Sequence, residues 1–328
     1  MKDHGGNQAG QRDPGDGAAT ALPPLLARRC RALAEAMDRV VTTPFAVTLN
    51  ERERGQGLAI LHRLVDGVER DLRHYLGAPA EPSAWAAIAP RGLPIANLAD
   101  VILANVLEHG LDRPGIDAVS PPFIGDDPAL ASLWTAYLVA ECRTRNAWNA
   151  PVLPMSGLPL EMQAQLVDCV AGALIGDLGE DGDTMAAMVA AADQVTQLHR
   201  EETSIEIVAA RFVDGALSQR SPDELMVDLV NRAAWPAVAA LVGERTGLGS
   251  APSMIALAVG DEGAIRDWLA PACFGANAVG ALVRALAPGW NARSFDDAGV
   301  AGADADGWPA DRADAIAHAA ARYRASDR

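Results

Sequence analysis

Apolar residues recur at steps of three and four along most of the chain, and that period fixes the class of fold. From Leu22 the apolar positions are Leu22, Leu25, Leu26, Cys30, Leu33, Met37, Val40 and Val41, one stripe along a helix. Thr43-Pro44 ends it, because the residue before a proline is pushed out of the helical region. Thr48 with Glu51 has the spacing of a capping box, and the next stripe is Leu58, Leu61, Leu64, Val65, Val68, Leu72 and Leu76. Gly77-Ala78-Pro79 stops that helix. Further helices are predicted over residues 95–108, 127–147, 158–178 and 184–199, then from a Thr203/Glu206 capping box to Leu217. Strand signals are scarce, since the β-branched residues sit at helical spacing and few stretches alternate. The expected fold is all-α, with no significant β-sheet.

The segment from Ser221 to Leu286 reads as repetitive. Ser221-Pro222, Ala251-Pro252 and Gly275-Ala276-Asn277 begin successive units roughly 25–30 residues apart, each a short helix, a tight break and a second helix. Stacked helix pairs bury a shared core that no single pair buries alone, which predicts a HEAT-like helical array. The domain reading is a disordered tail over 1–20, an N-terminal helical region over 21–150, a HEAT-like repeat region over 151–290, and a loose linker with a C-terminal helix over 291–328. Pro288-Gly289 marks the end of the repeats.

Charge and composition remove whole classes of function. Of 328 residues, 43 are acidic and 27 basic, a formal charge of -16. So negative a surface repels phosphate backbones and anionic headgroups, so neither nucleic acid nor a membrane is an expected partner. Lys2 is the only lysine, which excludes P-loop, Schiff-base and kinase-type chemistry from the helical part. The N-terminal stretch lacks an apolar signal and no apolar run approaches the ~18 residues of a membrane span, so a cytoplasmic protein is expected. Cys30, Cys142, Cys169 and Cys273 lie far apart within apolar patterns and read as buried thiols.

No catalytic, cofactor or metal motif emerges. There is no HExxH among six histidines and no GxSxG elbow around Ser156 or Ser250. The acidic run Asp177, Glu180, Asp181 and Asp183 fails the calcium-loop pattern, because Met188 stands where a glutamate is required. His109, beside Glu108 and Gly110, reads as a partner of a helix C-terminus. His199 with Glu201 or Glu202 is the one conceivable acid–base pair, set against plain surface capping. Seven tryptophans stand out against three tyrosines and five phenylalanines. Trp134, Trp148, Trp235 and Trp268 read first as core. Trp235 and Trp268 also hold comparable places in successive units, near Arg232 and Arg266, and such pairs anchor protein interfaces.

Asn50-Glu51-Arg52-Glu53-Arg54, followed by Ile60-Leu61-His62-Arg63-Leu64-Val65 and Val68-Glu69, resembles an alphaproteobacterial family, the domain of unknown function 2336. The likeness continues at Gly157-Leu158-Pro159 with Leu166-Val167-Asp168, and at Trp235 to Leu241 leading into Glu244-Arg245-Thr246-Gly247-Leu248. The resemblance implies a HEAT-type helical protein with no established catalytic residue, in a regulatory or scaffolding role.

The first functional expectation is thus a non-catalytic helical-repeat protein, without a cofactor, that binds another protein, in bacterial signalling or elsewhere. Its docking face would carry Arg232, Trp235, Glu244, Arg245, Arg266 and Trp268, since arginine grips carboxylates bidentately. Self-association stays open. The alternative is a small-molecule sensor with an apolar pocket between the N-terminal helices and the repeat array. A third is an enzyme built on His199, Glu201, Glu202 or arginine-based anion binding.

Overall fold

The computed structural model describes residues 49–79, 83–111, 127–146, 150–178, 182–199, 204–272 and 274–290, with residues 316, 318 and 319. The expected tail, the first apolar stripe, Cys30, Trp148, Glu201, Glu202, Cys273 and most of the C-terminal region lie outside them. Among the described residues there are twelve α-helices, one 3₁₀ turn and no strand, so the all-α array is what forms. The helices are α1 (Glu51–Leu76), α2 (Ala84–Ile88), α3 (Leu98–His109), α4 (Pro128–Arg143), α5 (Leu160–Leu178) and α6 (Gly182–Leu198). They continue with α7 (Ile205–Leu217), α8 (Pro222–Asn231), α9 (Trp235–Thr246), α10 (Ser250–Val259), α11 (Glu262–Leu269) and α12 (Ala276–Trp290). None of them is long and apolar enough to cross a membrane.

The caps explain where the boundaries fall. The cap of α1 is Asn50, not Thr48: its side-chain oxygen accepts from the Glu53 amide at 2.8 Å, satisfying one of the orphan donors. Gly77 ends the helix at φ 63°, a conformation cheap only for glycine. Likewise Ser204, one place past Thr203, caps α7 by accepting from Ile207 N. Ser221 and Glu224 form a full capping box on α8 with Pro222 in the first turn. α3 starts at Leu98, later than the apolar pattern predicts, because Asn97 sits at φ 60°. α4 stops at Arg143 rather than near residue 147. There the Thr144 amide and hydroxyl both donate to the Glu141 carbonyl, and the Thr144 carbonyl accepts from Val152 N as the chain folds back.

The short helix α2 has no signature of its own. It is nucleated by α1, whose buried Glu69 accepts from the amides of Ser83 and Ala84 at 2.8 and 3.0 Å. Arg73 donates to the same carboxylate at 2.8 Å and reaches Ser83 Oγ and the Pro79 carbonyl. At the far end Pro288 does not close α12, which runs through to Trp290. The missing N–H falls in the last turn, and Trp290 Nε1 ties the end down by donating to the Leu257 carbonyl at 2.9 Å.

The helices α8, α10 and α12 start at Pro222, Ser250 and Ala276, close to the Pro and Gly breaks seen in the sequence. The centre is the pair α9 and α10, apolar nearly all round: residues 237–243 and 253–259 are buried without a break. Small side chains let them close up. A Cβ on Gly243 would stand 2.7 Å from the backbone C and O of Gly249. α9 also packs on α7 and α8, and α10 on α3 and α12. α1 lies on α3, α5 and α6, and α4 lies on α7, where Trp134 stacks on Tyr137 at 5.0 Å and touches Phe212. The contacts of α3 with α10 and of α1 with α5 and α6 cross the sequence boundary expected at residue 150. One apolar core therefore runs through both regions.

Candidate functional site

The two tryptophans of the expected docking face are not on the surface. Trp235 is 1% exposed and Trp268 0%, among the largest fully buried side chains. Trp235 opens α9 and Trp268 falls on the inward side of α11 beside Ile265 and Leu269, whereas the arginines near them in sequence project elsewhere. A helix turns about 100° per residue, so sequence neighbours need not share a face. What is left at the surface is charged. Glu244 and Arg245 are exposed, Arg232 is half-buried, and exposed Arg266 donates to Glu262 at 2.9 Å. Burial pushes the Arg232 guanidinium below its usual range, against the pull of Asp228. Partial desolvation of the otherwise exposed side chain, then the charge of Asp214, raises the Glu244 carboxyl, against Arg245.

His199 turns toward α1, its Nε2 3.5 Å from Asp71 Oδ2. Cys142 is exposed, contrary to its expected burial, because α4 presents that side outward; Cys169 is buried. His109 closes α3 with Nδ1 2.8 Å from the Asn105 carbonyl oxygen.

One apolar concavity lies between α3 on one side and the starts of α7, α9 and α10 on the other. It is a cleft of about 70 Å³, walled by Val101, Ala104, Leu153, Ile205, Ala239 and Met254. Two buried polar residues of α3, Asn105 and Glu108, also line it, at 8% and 4% exposure. Half-buried Glu206 and Ser250 contribute from α7 and α10.

The helix period places Val101, Ala104, Asn105 and Glu108 together, at steps of three, one and three along one face of α3. Behind Glu108 stand Arg145, with Nη2 3.6 Å from Oε1, and His109, with Nδ1 3.6 Å from Oε2. The Asn105 amide nitrogen points to the Val152 carbonyl at 3.5 Å, while its buried Oδ1 accepts no hydrogen bond. A buried amide oxygen left unmatched costs on the order of 1–3 kcal/mol, and structures rarely keep one without cause. Sequence reasoning singled out neither residue. The available signal was Asn105 within the otherwise apolar run from Val101 to Leu107, with Glu108 directly after it.

A second hollow, of about 150 Å³, lies where the first turn of α1 meets Val106, Leu111 and Ala258. No group of three or more His, Cys, Asp or Glu residues stands close enough to hold a metal among the described residues. No protein-family model, no curated protein and no solved structure matches the chain.

Proposed function

We propose that the chain is a non-catalytic cytoplasmic binding protein, and that its binding site is the cleft between α3 and the α9–α10 pair. One observation carries the reading: a preformed apolar cleft lined by two buried polar side chains, one of them with an unmatched oxygen. Small-molecule sites have that anatomy, apolar walls that supply affinity and a few fixed polar groups that orient the ligand. The cleft lies between the N-terminal helices and the central pair, so an occupant contacts both and biases how they pack. That position suits a sensor.

A thermal-shift screen of metabolites on the wild type and on Ala251→Trp tests it, because Ala251 lines the cleft and an indole there fills it. The expected result is a compound that raises the wild-type Tm by several degrees and leaves the variant unmoved. A shift that persists in the variant places the site elsewhere and overturns the reading.

The second reading is a HEAT-like scaffold that docks a protein partner through Arg232, Glu244, Arg245 and Arg266, with the tryptophans removed from that face. Its support is that Glu244, Arg245 and Arg266 are exposed side chains. Capture from a native extract with Arg232→Glu and Arg245→Glu discriminates: an unchanged set of partners sinks this face.

A further inference from the structure

We infer that the cleft takes the end of a short aliphatic chain and selects it by length, not by the charge of its head group. The inference rests on the cleft being the binding site, and it names the class of the occupant. Among the described residues the lining has no lysine, arginine or histidine, so an anion finds no counter-ion there. Nor are its two carboxylates on offer to a cation. Arg145 stands 3.6 Å from Glu108 Oε1, Glu108 is only 4% exposed, and Glu206 is engaged as well. Asn105 has no hydrogen bond to give: its Oδ1 has under 1 Å² of accessible surface, and its amide nitrogen points to the Val152 carbonyl. These buried polar groups brace the wall and leave its surface to apolar side chains. An ion pressed against that surface loses water and gains no partner, so a ligand keeps any charge outside.

Shape and depth point the same way. Ala104, Leu153, Ala239 and Met254 are buried lining residues, whereas Ser250 and Glu206 are half-buried. The chain end therefore lies against the first four, and the head of the ligand stays near the last two, in water. No aromatic side chain lines the cleft among the described residues, so nothing there stacks on a ring. The volume of about 70 Å³ is roughly half of the ~150 Å³ that takes up a benzene molecule. By proportion it encloses about three to four aliphatic carbons. Each methylene enclosed adds a similar increment of affinity, and each one beyond the rim adds none.

Two probe series, titrated by ligand-observed NMR in ~0.15 M salt, separate length from charge. In the first, the straight-chain alcohols from ethanol to 1-hexanol are expected to gain roughly three- to fourfold in affinity per methylene, levelling off at about four carbons. In the second, 1-butanol, butylammonium and pentanoate carry one butyl tail on three heads, and are expected to bind within about threefold of one another. Ala251 is half-buried and lines the cleft, so its variants test the place. Ala251→Val is expected to make the alcohol series level off at least one carbon earlier, and Ala251→Trp to abolish binding. Should Ala251→Trp lose the helical circular dichroism of the wild type, the shift in Ala251→Val decides alone. A flat alcohol series, or a preference of roughly tenfold or more for either ion, overturns the inference. If the Ala251 variants still alter that binding, the cleft remains the site. If no probe binds, or binding is the same in the Ala251 variants, both readings fall together.

Discussion

At Gly243 one hydrogen atom decides whether two central helices can meet. A methyl group there would sit 2.7 Å from the Gly249 backbone, which has no rotamer with which to move aside. Gly243→Ala is therefore expected to destabilise by about 1–3 kcal/mol, as overpacking does, and to lower the Tm by several degrees. The same change at Gly55 has the opposite sign. Gly55 is exposed inside α1 with nothing within 4 Å of a Cβ, so Gly55→Ala removes backbone freedom from the unfolded chain and should stabilise by ~0.5–1 kcal/mol. Thermal melts of the two variants side by side check both. Glu244 supplies a pH test. Its carboxyl is raised in the folded state by partial desolvation and Asp214, so the folded chain holds that proton more tightly than the unfolded one. The stabilising contribution of the protonated form is full below the unfolded pKa, near 4.3, and is lost as pH rises through the folded value. Glu244→Gln imitates the protonated form. It is expected to raise the Tm slightly at pH 7, solvent screening of the exposed side chain keeping the effect small, and not at pH 4, as read from melts across that range.

Between neighbouring elements, the most consequential link is the clamp of α1 on α2. Glu69 is 2% exposed and accepts three hydrogen bonds, from Arg73, Ser83 and Ala84. Replacing it with leucine strands a buried guanidinium and uncaps α2. A buried charge that loses its partner costs about 3–5 kcal/mol, which Glu69→Leu should show in chemical denaturation. Adding Arg73→Leu should recover part of that loss, because the two residues act as one unit. Boundaries set by local chemistry were legible in the sequence. Gly77 and the Ser221 cap with Pro222 each stand where the backbone requires them. Boundaries set by distant partners were not: α2 exists because of a carboxylate fourteen residues upstream, and α4 ends where the chain turns back to meet Val152. The site divides the same way. The α3 helix was legible, and with it the alignment of Ala104, Asn105 and Glu108, but nothing local says that α7, α9 and α10 close over that face.

Across the molecule, α3 against α10 and α1 against α5 and α6 make contacts that a stack of nearest neighbours does not have. Such a core should melt as one unit. Far-UV circular dichroism follows all helices, while near-UV signals come from buried aromatics in α4, α9 and α11, and the two transitions are expected to coincide within about 1 °C. Separate midpoints would mean that the helices before residue 150 and those after it fold independently. The sequence by itself determined the helical class, the order of most elements and the places of several helix breaks. All of these follow from periodicity and from proline, glycine and cap chemistry, which act within a few residues. Tertiary structure alone decided which face of each helix is inside. Trp235 and Trp268 look like interface anchors beside their arginines in sequence, yet they fill the core, because burial depends on the rotation of each helix against its neighbours. By the same rotation Asn105 and Glu108 come to line a cleft whose other walls come from helices about a hundred residues or more away.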